Sequence, residues 1–177
     1  MKNKTLLASS ALTLLLSIPC MNAMASDPID ADDFVEDASA AGIAEIDAGK
    51  LALQKSQSAA VKKFAQEMID DHTAANKELA DIAHSKNLKV STDEELMAKA
   101  KEFALKQRDG ESFDAAYAKN QVMAHEKAVA LFQKGAKSSD PQISAFATAT
   151  LPKLEGHLHM AHDLAATTTT VKSNKKK

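Results

Sequence analysis

Four residues carry the chemistry this sequence can offer: Glu45, His72, His125 and His157. Each interrupts an apolar series that advances in steps of three and four, the spacing of one helix face. Glu45 falls among Phe34, Ala38, Ala41, Ala48 and Ala52, and His72 among Phe64, Met68, Ala75 and Leu79. His125 follows Phe113, Tyr117 and Gln121, and His157 follows Ile143, Ala147 and Leu154. An ionisable group on such a face is costly to bury unless it is paired, hydrogen-bonded or metal-bound. Three imidazoles and one carboxylate meeting in a helical core suit zinc, iron, manganese or copper, with zinc or iron expected first. The same four residues also fit a hydrogen-bonded polar layer that only sets the helix packing.

The heights of the four groups are compatible with one layer. Counted from turns near Gln57 and Ser139 at a rise of 1.5 Å per residue, His125 and His157 differ by about 6 Å. Glu45 and His72 differ by about 4 to 5 Å on the same count. A four-carboxylate di-iron centre is not expected, because it needs Glu three residues before His on two helices. Here those positions hold Ile69, Val122 and Leu154. Ferroxidase chemistry therefore has no ligand set. Glu155, His159 and His162 share one side of the last helix, away from His157, and read as a solvated stripe, as does His84. Asp71, Glu126 and Tyr117 lie near the four by sequence, without a spacing that selects a catalytic role. Nucleophilic catalysis has no support, since no Ser stands at a suggestive distance from a base.

Stepping from these residues to their elements, the periodicity predicts helices and no strands. Four long helices are expected: A over 32–55, B from after Ser58 to Lys86, C over 112–136, and D from Pro141 to Ala166. Ser56-Gln57-Ser58 makes the A–B turn, and Asp140-Pro141 supplies an N-cap followed by Pro at the first helical position. The B–C connection of about 25 residues holds a short helix behind the overlapping capping boxes Ser91/Glu94 and Thr92/Glu95. Pro152 should kink helix D just before His157. Two hairpins joined by one long crossover predict an all-α, ferritin-like four-helix bundle with an extra short helix in the crossover.

Composition narrows the rest. The 177 residues are 45% hydrophobic and 26% charged, with 4% aromatics, one Cys and a net charge of −2. These values exclude a basic nucleic-acid footprint, a stacking platform and any Cys-rich metal site. Lys2 and Lys4, the apolar run Leu6 to Ile18 and Ala23-Met24-Ala25 predict a signal peptide over 1–25, cleaved between Ala25 and Ser26. No later stretch is long and apolar enough to span a membrane. Residues 26–31 read as a linker, 32–166 as the bundle and 167–177 as a disordered Thr/Lys-rich tail. The chain after cleavage has 152 residues, no Cys, 30 Ala and a net charge of −4, or −8 without the four lysines of the tail.

Several stretches together resemble a known family. They are Ala41-Gly42-Ile43-Ala44-Glu45-Ile46 with Gly49-Lys50-Leu51-Ala52, then Val61-Lys62-Lys63-Phe64-Ala65, then Met68-Ile69-Asp70-Asp71-His72-Thr73 with Asn76 and Leu79. Phe113-Asp114-Ala115-Ala116-Tyr117 follows, with His125 and Leu131-Phe132. Phe146-Ala147, Leu151-Pro152-Lys153-Leu154, His157-Leu158 and Ala161 complete the series. Over about residues 32–165 the chain resembles the exported bacterial family known as domain of unknown function 4142, also called predicted outer-membrane proteins. The resemblance implies a ferritin-like bundle outside the cytoplasm and implies no reaction.

The expected function is that of an exported, periplasmic bundle binding a transition metal through Glu45, His72, His125 and His157, in stress tolerance or metal handling. The alternative is a non-enzymatic envelope module. An envelope protein partner or a homo-oligomer fits either reading; nucleic acid fits neither.

Overall fold

The computed structural model describes residues 28–93 and 96–174, with the side chains of 96–97 and 169–174 left aside. The expected leader, the capping acids Glu94 and Glu95, and Lys175–Lys177 lie outside the described residues. Five helices and no strands occur among those described: α1 (Ala31–Lys55), α2 (Ala59–Lys86), α3 (Leu96–Lys106), α4 (Gly110–Gly135) and α5 (Pro141–Asn174).

The ends of these helices are written locally. Ser58 accepts from Val61 N at 3.4 Å and opens α2, which Asn87 closes in the left-handed conformation at φ 57. Asp140 Oδ1 accepts from the backbone of Gln142 and Ile143 at 3.0 and 3.1 Å, while its Oδ2 meets Lys86 Nζ at 2.5 Å. One side chain thus caps α5 and ties it to the end of α2. One expectation needs correction. The fourth long helix does not stop at Ala166: Leu164 is buried, and the Thr167 and Thr168 hydroxyls bond back to the Leu164 carbonyl, so the helix continues to Asn174. Pro152 lies inside α5, with its side chain exposed.

α1 pairs with α2 and α4 with α5 as antiparallel hairpins, and α1 also packs on α4 and α2 on α5. The core falls into two apolar clusters. One joins Phe34, Val35 and Ala38 to Leu79, Ala83, Phe132, Ile143 and Phe146. The other joins Leu51 and Ala52 to Val61, Phe64, Phe113, Tyr117, Ala161 and Leu164. The start of α1 therefore lies beside the ends of α2 and α4 and the start of α5. So α2 and α4 run parallel, and the 87–109 connection must travel the length of the bundle. This is the one-long-crossover arrangement expected from the sequence.

The crossover is pinned at both ends. Ser91 N donates to Ser39 Oγ at 2.7 Å near the start of α1. At the other end Lys55 Nζ donates to the carbonyls of Lys106 and Arg108 at 2.7 and 2.9 Å and to Asp109 Oδ1 at 2.9 Å. Between these anchors α3 lies against α1 and α4. Phe103 on α3 stays largely exposed.

Candidate metal centre

The two apolar clusters leave a gap at the same level on all four long helices, and polar side chains fill it. Glu45 on α1, His72 on α2, Gln121 and His125 on α4 and His157 on α5 are all buried there. His72, His125 and His157 form a near-equilateral triangle, with ring centroids 5.6, 5.6 and 5.4 Å apart. One ring nitrogen from each lies within 4.8 Å of the other two.

Hydrogen bonds to two of the rings determine which nitrogen carries the proton. His157 Nε2 stands 2.9 Å from Asp71 Oδ2, and Asp71 Oδ1 accepts from Lys153 Nζ at 2.7 Å. His125 Nδ1 stands 3.0 Å from the Gln121 carbonyl oxygen, one turn earlier on the same helix. A carboxylate and a carbonyl only accept, so these nitrogens carry the protons. The lone pairs are left on His157 Nδ1 and His125 Nε2, both buried and without a partner, as is His72 Nε2. Burial, reinforced by the two neighbouring imidazoles, pushes the His72 pKa down to about 3. His157 is pushed down too, chiefly by burial, although Asp71 opposes the shift. Asp71 is lowered as well, for another reason: burial would raise it, but its bonds to Lys153 and His157 hold it below the ordinary carboxylate range.

Glu45 shares the layer but is not one of the three groups within 4.8 Å. Burial raises its pKa, against the opposing pull chiefly of the His125 imidazole. Its Oε2 has no partner, nor do the Gln121 amide atoms or the Tyr117 hydroxyl. Burial, with Glu45 nearby, raises the Tyr117 phenol well above its usual value. Tyr117 is clamped by Phe113, stacked at 5.9 Å, and by the edge of Phe64 at 6.2 Å.

The stripe of Glu155, His159 and His162 is exposed, and His159 faces Asp163 at 3.6 Å. His84 is exposed as well, and so is Glu126. The sequence reading passed over Asp71 and Gln121 as structural partners. The Gln121 contact had a signal, since a helical ring nitrogen can reach the carbonyl four residues back. Asp71 had none, because its partner sits on another helix.

A second group of possible ligands, Glu67, Asp71 and His157, adjoins the first on the α2–α5 side. On the opposite side, a cavity of about 280 Å³ runs from His72, His125 and Glu45 outward between α1 and α4 to Lys101 and Glu102 of α3. No helix among the described residues is long and apolar enough to cross a membrane.

No curated protein matches the sequence. Among solved structures, the chain is similar to CopM in the Cu(II)-bound form, with a TM-score of 0.67 and 16% identity. That similarity covers 79% of this chain and 98% of CopM, and at such identity it shows the shared all-α fold. The family described as Domain of unknown function (DUF4142) matches residues 19–164, and the chain belongs to it.

Proposed function

We propose that this protein is an exported helical bundle that binds one transition-metal ion through His72, His125 and His157, with Glu45 facing the remaining coordination position. One observation carries the reading: Asp71 and the Gln121 carbonyl hold two rings in tautomers that leave buried, unpartnered lone pairs, in a cluster whose third ring also has an unpartnered nitrogen. Buried lone pairs brought together repel one another, and a cation is what resolves them. Carboxylate and carbonyl oxygens behind ligand histidines are the usual outer support of such sites. A layer built only for packing would be expected to pair its polar atoms with each other.

An all-imidazole set without thiolate suits Cu(II) or Zn(II). That CopM, which shares the fold, is solved in a Cu(II)-bound form makes copper the first ion to test. Bound there, the ion would supply a Lewis-acidic or redox-active centre; the chain orients the rings through Asp71 and Gln121, and the two apolar clusters flank the site above and below. Export rests on the leader read from Lys2 to Ala25, and N-terminal sequencing of the secreted protein should begin at Ser26.

The test is titration of metal-free protein with Cu²⁺ and Zn²⁺, followed by dialysis and elemental analysis. One equivalent should be retained by the natural chain and lost by His72→Ala, His125→Ala and His157→Ala. No stoichiometric retention, or equal retention by all three variants, would remove the reading. Glu45→Gln decides the role of the carboxyl: a loss as large as that of the histidine variants makes Glu45 a fourth ligand.

A further inference from the structure

The cavity on the α1–α4 side is larger than a metal centre needs. It is walled by Ala44, Ala48, Ala124, Ala128, Leu79 and Leu105, and its inner end is formed by Glu45, His72 and His125. His157 does not line it, so the triangle closes the cavity off from the α2–α5 surface. Roughly 150 Å³ of apolar cavity takes a benzene ring, so about 280 Å³ takes a substituted one.

Three polar side chains at the inner end are more than nine-tenths buried, and Glu45 Oε2, His72 Nε2 and His125 Nε2 have no hydrogen-bond partner. His125 Nε2 can only accept. A hydroxyl both donates and accepts, so it can give its proton to an imidazole lone pair and pair with Glu45 whichever form that carboxyl takes. An amine would bring a charge into an apolar passage, and a hydrocarbon would leave the orphaned atoms unpaired. The mouth carries Lys101 beside Glu102, a mixed rim that selects no net charge.

We propose that this cavity is a binding site for a small uncharged molecule with an apolar body and one hydroxyl, of phenol type, whose hydroxyl ends between Glu45 and His125. The alanines of α1 and α4 are what make room for it. Leucine or valine at these positions would have filled the same helix faces at no cost in helix propensity beyond a few tenths of a kcal/mol. The site is that of the metal-free chain: the hydroxyl uses the His125 lone pair that an ion would take, so the two occupants compete for it.

The experiment titrates metal-free full-length protein with p-cresol by calorimetry, with backbone amide spectra recorded alongside. Saturable one-to-one binding with Kd below about 1 mM is expected, with shifts at Ala44, Ala124 and Ala128. Toluene, which lacks the hydroxyl, should bind at least tenfold more weakly. Glu45→Leu should cost a similar factor that Glu45→Gln largely restores. Ala128→Leu fills the cavity without altering a polar group and should abolish binding; Ala44→Leu, from the facing helix, serves if the first variant does not melt cooperatively. Absence of saturation, equal affinity for toluene, or binding untouched by the filling variants would overturn the proposal. The metal titration is run without p-cresol, so the two readings fail separately.

Discussion

At the scale of single residues, what makes His157 a ligand candidate is a neighbour on another helix. Asp71 on α2 fixes its proton on Nε2 and leaves Nδ1 free. Asp71→Asn should weaken metal affinity about 10- to 100-fold while leaving the fold intact, read by competition with a chelator. Metal-free protein should also show two opposing pH effects. An unfolded histidine takes up a proton near pH 6.5, whereas His72 stays neutral to about pH 3. Its contribution is therefore fully present above about pH 6.5 and is lost as pH falls toward 3. His157 has the same sign. Glu45 has the reverse: its raised pKa means the fold holds a proton the unfolded chain has released, so its burial costs stability at neutral pH. Glu45→Gln should stabilise the metal-free protein at pH 8, and the gain should fade on acidification. Urea melts at pH 8, 6 and 4 would check both signs. The buried polar residues of the layer are legible in the sequence because each breaks an apolar stripe. Asp71 is not, because next to His72 it lies about 100° round the helix and reads as solvated surface.

At the scale of the helices, close approach is what holds the layer together. A Cβ on Gly49 would fall 2.9 Å from the Ala65 carbonyl oxygen and 2.8 Å from the Ile69 side chain; on Gly42 it would strike Asn76. Asn76 itself donates to the Ser39 carbonyl at 3.1 Å, so α1 and α2 are pinned at the level just below the site. Gly49→Ala raises helix propensity yet must push α1 from α2, against backbone that cannot yield. A net loss of about 1 to 3 kcal/mol is expected, measured by chemical denaturation. A neutral or stabilising result would show that the hairpin spreads without cost. Periodicity sufficed to place the four long helices and the crossover helix, because alanine-rich stripes and capping residues point the same way. It did not reveal the extension of α5. A Thr run carries no apolar stripe, and only the hydroxyl bonds to Leu164 and Ala165 show how it stays helical. Nor do stripes carry the distance between helices, which here depends on which glycines face which side chains.

At the scale of the whole molecule, the bundle is two apolar halves joined through a polar layer in which six buried side-chain atoms, on Glu45, His72, Gln121, His125 and His157, stand unpaired among the described residues. Each unpaired atom costs on the order of 1 kcal/mol or more, so the layer is the weakest part of the metal-free core. An ion held by His72, His125 and His157 would cross-link α2, α4 and α5 at that level. Since the unfolded chain does not hold the three rings together, binding adds stability by mass action, about 2.7 kcal/mol at a free metal concentration of 100 Kd. For a domain of this size that corresponds to a rise in Tm of roughly 5 to 10 °C. The triple variant His72→Leu, His125→Leu, His157→Leu makes the comparison decisive. It should melt at or above the temperature of the metal-free natural chain, because leucine removes the unpaired nitrogens, and it should not respond to metal. If the layer served packing alone, the signs would exchange: the triple variant would melt far lower, and added Cu²⁺ or Zn²⁺ would leave the natural chain where it was. Calorimetric scans of both proteins, with and without each ion, separate the two outcomes.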